Sequence, residues 1–460
     1  MEPITIREII AAVDGKLLGE FTVLDQTVTH VFTDSRKPDP GALFIPLVGE
    51  RFDGHAFIND ALEGGAAGCF TQRERESYLP GKFYIKVNST QKALRDLARW
   101  YKKRFDIPFV AITGSVGKTT TKEMIAAVLG TTYRTQKTPE NFNNGLGLPV
   151  TVLSLDRADE AAVLEMGMNH FGEIALLTRI AQPDIAVITN IGTMHMENLG
   201  SREGILQAKL EILEGLRPGG LAVFNGDNDL LSSVAERYHA VTFGLGGNND
   251  VRAVNITAEN DTTHFTAVAF GTSLEITLPA VGEHNILNAL AAIAVGLKCG
   301  VAPERIEGGL ADFRNTGMRQ HIYDCSGVKI IEDCYNAGPE SMEAALSVLG
   351  SYPGRKLAVL GGMLELGPLA PQAHYRVGML AAQTADVLFA YGANSEQTVR
   401  GALDAGMKNA KYFESHEELA QALKAELRAG DNLLVKGSRG MKMERVLRLL
   451  DMNDGGTQHG

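Results

Sequence analysis

The strongest constraint on this chain is the run Gly-Ser-Val-Gly-Lys-Thr-Thr at residues 114–120, directly after the apolar Phe-Val-Ala-Ile at 109–112. Residues 109–113 read as a strand. A helix is expected from Thr119, with Met124, Ile125, Val128 and Leu129 on one face and Gly130 as its stop. A glycine-bearing loop between strand and helix lets backbone N–H groups curl round an anion without Cβ clashes, and the helix N-terminus adds the positive end of its dipole. Lys118 then neutralises phosphate charge, and the Thr119 hydroxyl is placed to ligate Mg2+. Gly114, Ser115, Gly117 and Thr120 complete the candidate phosphate contacts. The spacing departs from the standard Walker A loop, which has a glycine where Ile112 stands. An ordinary glycine turn before a helix is the competing reading. No Asn-Lys-x-Asp sequence is present to read guanine, which argues against a GTPase switch.

A strand, a Gly- or Asn-rich loop and an amphipathic helix recur along the chain, which predicts an α/β protein with parallel sheets and crossover helices. At 460 residues it exceeds one hydrophobic core. Three blocks are expected: 1–88, 89–313 and 314–460. The last has strands at 329–332, 356–360, 387–391 and 432–435, and 454–460 reads as a frayed tail. The first and second blocks are joined by a helix over 91–104.

A net charge of −11 with no basic stripe argues against a nucleic-acid partner. No apolar run reaches the length of a membrane span, and the N-terminus lacks the basic-then-apolar order of a secretory signal, so a cytoplasmic protein is expected. Four cysteines, Cys69, Cys299, Cys325 and Cys334, have no Cys-x-x-Cys spacing and read as free thiols.

Further candidates stand where a doubly wound sheet exposes the carboxyl ends of its strands. The run 161–164 ends in Glu165, a carboxylate able to hold Mg2+; the run 185–189 leads to His195. Taken alone, each is more often a solvated loop residue. Residues 201–216 read as a helix whose apolar stripe comprises Ile205, Ala208, Ile212, Leu213 and Leu216. Lys209 falls within that stripe. Its stem can pack while the amine reaches water; alternatively, carbamylation by CO2 turns the cation into an anion able to ligate metal. Asn285 and Asn288 share one helix face. They suit the reading of a purine edge, or else an N-cap and a packing hydrogen bond.

Taken in order along nearly the whole chain, these motifs resemble the Mur ligases of peptidoglycan synthesis. Residues 34–36 (Asp34, Ser35, Arg36), 41–47 and 51–57, with Asp53 and His55, are similar to the family's UDP-sugar-binding domain. Residues 138–144, with Asn143 and Asn144, resemble its substrate-facing loop. The resemblance implies three domains: a UDP-sugar domain, a central P-loop ATPase domain and a C-terminal Rossmann-like domain. It places Thr119, Glu165 and His195 at the metal and Lys209 as a carbamylated lysine. It gives Asn285 and Asn288 to the adenine, Arg319 to phosphate and Asp333 to ribose, with Tyr335 and Asn336 facing substrate. Residues 333–342, 360–367 and 436–444 resemble the branch that adds D-alanyl-D-alanine. Gly338 departs from that branch's usual Asn, and Gly362 from its usual Asp. The implied activity is ATP- and Mg2+-dependent joining of D-alanyl-D-alanine to UDP-N-acetylmuramoyl-tripeptide by a monomer, with Lys118, Lys209 and His195 in the catalytic machinery. A folate-type polyglutamate ligase would share the loop and the lysine without the residues at 34–36; a P-loop regulator would need neither Lys209 nor the third block.

Overall fold

The computed structural model describes residues 1–49, 52–315 and 317–452. Arg51, Thr316 and the 454–460 tail, each part of a motif or boundary named above, lie outside the described residues. The chain forms two compact units interleaved in sequence: Met1–Thr113 with Thr132–Val187 and Leu210–Ala222, and Gly114–Thr131 with Ile188–Lys209 and Val223–Gly460.

The first unit opens on helix Ile6–Val13, started by a capping box in which Thr5 and Glu8 satisfy each other's backbone N–H groups. A five-stranded sheet follows in the order Lys16–Leu18, Phe83–Lys86, Gly68–Thr71, Leu43–Phe44, Val31–Phe32, antiparallel only at its first pair. Its core is Phe44, Ile58, Leu62, Cys69 and Tyr84. The connecting helix spans Thr90–Lys102, and Ser89 caps it by accepting from the Lys92 N–H. It buries Ala93, Leu94, Leu97, Ala98 and Tyr101, the one-face spacing of an amphipathic helix. Strand Ala161–Glu165 then lies between Phe109–Thr113 and Thr135–Lys137, all parallel. Every residue of Phe109–Thr113 and Ala161–Glu165 is buried, as a strand covered on both faces requires. Each fully buried Val, Leu or Ile side chain there contributes about 1.5–3 kcal/mol. Glu165 is therefore at the carboxyl end of a central strand.

The second unit holds the helix Lys118–Gly130, against which packs Glu283–Lys298. The latter is buried from Asn288 through Gly296, and alanines at 289, 291, 292 and 294 allow that close approach. Strands Leu221–Asn225, Val241–Gly244 and Val251–Glu259 run parallel, and Thr262–Ala269 and Thr272–Leu278 extend them as an antiparallel meander. The sequence rhythm of parallel strands does not anticipate this meander.

A six-stranded sheet completes this unit, in the order His321–Cys325, Val328–Asp333, Asn432–Lys436, Lys356–Gly361, Val387–Tyr391, Ala410–Phe413. It is parallel apart from the first pair. Alternate residues feed two separate cores: Ile331, Ala358, Leu360, Leu388 and Leu434 on one face, and Ile330, Leu357, Val359, Phe389, Leu433 and Val435 on the other. This is the doubly wound arrangement, whose ligand edge lies at the strands' carboxyl ends, near Asp333, Gly361 and Lys436. The four expected third-block strands are present, each extended by up to two residues. The expected helix 201–216 is instead an α-helix, Arg202–Leu210, closing in a 3-10 turn, Glu211–Gly215. No helix among the described residues is long and apolar enough to cross a membrane.

Candidate active site

The phosphate loop has the conformation its sequence implies. Gly114 and Gly117 take φ of 157° and 82°. A Cβ on Gly114 would lie 1.8 Å from Thr189 Oγ1, and one on Gly117 would lie 2.7 Å from Asn288 Oδ1. Both positions therefore exclude any side chain. Asn190, which the sequence reading passed over, shapes the loop from the side. Its Oδ1 accepts the Ser115 and Val116 N–H groups at 3.0 and 2.9 Å. Thr189 Oγ1 donates to Val116 O at 2.6 Å, and the Gly192 N–H donates to Ser115 Oγ at 2.9 Å. The Lys118 ammonium folds over the loop, donating to Gly114 O at 2.8 Å. Thr119 is buried in the first turn of the helix, and Thr120 beside it is half-buried.

Lys209 is 1% exposed, so its stem is buried and its amine is nearly so. Among the described residues it has no hydrogen-bond or ion-pair partner. Burial, and then the charge of Lys118, hold its pKa well below the usual lysine value. Both effects disfavour the charged form of the side chain.

His195 stands at φ 65° and Glu365 at φ 64°, both in the left-handed region. His195 Nδ1 lies 3.2 Å from Glu365 Oε2. His195 Nδ1 makes no well-directed hydrogen bond across that separation. The His195 ring holds the Glu365 carboxyl below its ordinary value.

Asn285 and Asn288 are both buried and face one another, with their amides engaged internally. Asn285 Nδ2 donates to Gln320 Oε1 at 2.6 Å and to Val281 O at 2.9 Å. Asn288 Oδ1 accepts from the Thr121 hydroxyl at 3.0 Å, tying this helix to the phosphate-loop helix. The N-cap alternative for Asn285 is corrected: the helix begins at Glu283 after Gly282, so Asn285 lies inside it.

Asp333 ends its strand paired with Lys436, whose buried Nζ donates to Asp333 Oδ2 at 2.6 Å and to Asn336 O at 3.0 Å. Arg319 stacks on Tyr335, its guanidinium carbon 3.8 Å from the ring centroid. Asn336 is exposed, its Oδ1 accepting from the Ala337 N–H. The two departures from the family pattern have steric causes. A Cβ on Gly338 would lie 2.9 Å from Met194 Cγ, and one on Gly362 would lie 2.6 Å from Ala393 O.

In the first unit, Glu165 is buried and accepts from Asn143 Nδ2 at 2.9 Å, while its backbone N–H donates to Thr138 Oγ1. Asn144 Oδ1 accepts from the Leu146 and Gly147 N–H groups and so organises the start of helix Gly147–Leu153. His55 has both ring nitrogens engaged: Nδ1 with Asp53 Oδ1 at 2.6 Å, and Nε2 accepting from the Gln72 N–H. Asp34 and Arg36 form an exposed two-point pair, and the guanidinium holds the Asp34 pKa at about 2. Ser35, between them, is half-buried. The cysteines are free thiols, with Cys69 and Cys334 buried.

Known proteins share this arrangement. Residues 27–102 match the model of the Mur ligase family catalytic domain, 112–296 the Mur ligase middle domain, and 318–439 the Mur ligase glutamate ligase domain. The UDP-N-acetylmuramoyl-tripeptide–D-alanyl-D-alanine ligase of Bacillus subtilis is 44% identical over 96% of this chain and 97% of its own. A crystal structure of MurF from Acinetobacter baumannii superposes with a TM-score of 0.90 at 32% identity, covering 98% of this chain and 99% of that one. MurF ligase from Thermotoga maritima, solved in complex with ADP, gives 0.84 at 30% identity over 92% and 97%. With its three domain models in sequence order and relatives aligned end to end, this chain belongs to the Mur ligase family.

Proposed function

We propose that this chain joins D-alanyl-D-alanine to UDP-N-acetylmuramoyl-tripeptide at the expense of ATP. The observation that carries the proposal is the 44% identity, over nearly the whole chain, to a ligase named for that reaction. In the first step a tripeptide carboxylate oxygen attacks the γ-phosphorus and ADP departs, leaving an acyl phosphate. The dipeptide amine then attacks the acyl carbon; the C–O bond to phosphate breaks, the nitrogen loses a proton and an amide remains. Phosphorylation is needed because an unactivated carboxylate would have to expel oxide. Lys118 and Arg319 stabilise negative charge during transfer. Ser115, Gly117, Thr119 and Thr120 hold phosphate, Asn285 and Asn288 border the adenine, and Asp333 turns its remaining oxygen to the ribose.

The Thr119 hydroxyl in the second unit and the buried Glu165 carboxylate in the first are each hard oxygen donors of the kind that Mg2+ takes, and that ion would supply neutralisation of phosphate charge. Among the described residues no group of three or more His, Cys, Asp or Glu stands together to hold a metal. Lys209 supports the carbamate role because only a neutral amine attacks CO2. The N–C bond forms, a proton leaves, and an anion replaces the amine. His195 serves beside it. Asp34, Ser35, Arg36 and Asp53 face the UDP-sugar, with His55 bracing Asp53; Asn143, Asn144, Tyr335 and Asn336 face the peptide substrates. The proposal includes domain boundaries near 88 and 313, a cytoplasmic location and a monomeric state.

Phosphate release should require ATP, the UDP-tripeptide and D-alanyl-D-alanine together, tested with lysine and with diaminopimelate at the third residue. Release driven by a folate and glutamate instead would refute the proposal.

A further inference from the structure

One side chain distant in sequence reaches the phosphate loop through a line of short hydrogen bonds. Glu340 is the second residue of helix Pro339–Ser351. Its Oε1 accepts both the Thr193 N–H at 2.6 Å and the Thr193 hydroxyl at 2.8 Å. Gly192, next to Thr193, donates to Ser115 Oγ, and Asn190 takes the Ser115 and Val116 N–H groups. The opposite side of this segment is braced as well. Ile191 O accepts from Arg202 Nη2 at 3.0 Å and from Asn228 Nδ2 at 3.1 Å.

Ordinary helix capping does not account for Glu340. The Gly338 N–H is already taken by Ser341 Oγ at 3.0 Å. The second carboxylate oxygen, Oε2, is buried with no hydrogen-bond partner among the described residues, a costly arrangement for a group placed only for stability. The helix N-terminus compensates part of the charge. Oε1 meanwhile is committed entirely to Thr193.

We propose that Glu340 is a positioning residue for nucleotide binding: it clamps Thr193 and, through Gly192 and Ser115, fixes the shape of the phosphate loop. This rests on the reading of residues 114–120 as the nucleotide loop. The third block thereby influences nucleotide affinity without touching the nucleotide.

The test is ADP affinity of the full chain by titration calorimetry, with thermal unfolding recorded for every variant. Glu340→Ala should weaken ADP roughly tenfold and Thr193→Val about threefold, with the double variant no worse than about tenfold, because both remove one contact. Glu340→Gln should stay within about twofold, since its amide oxygen still accepts. Unchanged affinity in Glu340→Ala, fully multiplicative losses in the double variant, or a loss in Glu340→Gln equal to that in Glu340→Ala would each overturn the clamp. If Glu340→Ala does not fold, Thr193→Val decides, and normal affinity there refutes the proposal. Lys118→Ala separates the two levels. Normal ADP binding in that variant would sink the nucleotide-loop reading itself. Its loss beside normal binding in Glu340→Ala sinks only the clamp.

Discussion

Replacing Lys209 by Met should make the protein more stable and inactive at once. Met nearly matches the lysine stem in volume and removes a buried amine that has no partner among the described residues. Burying such a polar group costs about 1–3 kcal/mol in proteins, so Lys209→Met should gain about that much. Lys209 belongs to the larger unit, so the midpoint should rise by no more than about 2–4 °C per kcal/mol. The pH dependence carries a sign. Folded Lys209 has a pKa held well below 10.5 by burial and by Lys118, whereas the unfolded chain protonates near 10.5. Unfolding therefore takes up a proton between the two values, and wild-type stability falls as pH drops through that window. The Met variant lacks this term. Its advantage should be small near pH 10.5 and widen as pH falls toward the folded value. Urea unfolding at several pH values, in CO2-free buffer without nucleotide, measures it. A Met variant that is less stable with an unchanged pH slope would refute the lowered Lys209 pKa, and one that retains full turnover would refute the carbamate role. Lys209→Ala should also be inactive, and a short carboxylic acid filling the vacated space should restore part of its turnover.

Three other perturbations probe separate contacts. Asn190→Ala removes the acceptor of two loop amides and should weaken ADP by about 2 kcal/mol, roughly thirtyfold; a gain in affinity in the same titration would mean that Asn190 competes with phosphate rather than shaping the loop. Tyr335→Ala should raise the KM for ATP about three- to tenfold by removing the ring beneath Arg319, while Tyr335→Phe leaves it near normal; equal effects would discount the stacking. Lys436→Met strands the Asp333 carboxylate and should destabilise the chain by about 3 kcal/mol in urea unfolding, most of it recovered by adding Asp333→Asn; an undisturbed single variant would show the pair to be dispensable.

What could be read in advance depended on how local each signal was. The phosphate loop was legible because strand, glycines, Lys118 and Thr119 are contiguous, and each answers a nearby steric or electrostatic need. The third-block strands were legible because residues covered on both faces form apolar runs. Lys209 stood out because it interrupts a helical stripe. Asn190, Glu340 and Gln320 were not legible. Their partners lie 74, 147 and 35 positions away, and an Asn, Glu or Gln at the edge of a loop carries no local sign of them. Asn285 and Asn288 were found by their shared face, yet tertiary contacts with Gln320, Val281 and Thr121 decide where their amides point. The meander over 251–278 escaped because its first strand is buried only at its start and exposed from Asn255 onward.

The buried lysines show how structure ranks candidates that sequence cannot. Lys102, Lys122, Lys209 and Lys436 are the buried lysines among the described residues. Lys102 lies 4.3 Å from the Phe109 ring centroid, Lys122 is 3.0 Å from Glu123, and Lys436 is 2.6 Å from Asp333. Each of these three lies beside a group that offsets lost hydration. Lys209 has the like charge of Lys118 near it and no ion-pair partner among the described residues, so burial and then repulsion push its pKa down. A paired lysine cannot attack CO2 without first giving up both a proton and its partner; an unpaired one of lowered pKa gives up its proton more readily. The chemistry that makes Lys209 a poor structural residue is therefore what makes it suitable for a carbamate, and it distinguishes Lys209 from lysines that are buried just as deeply.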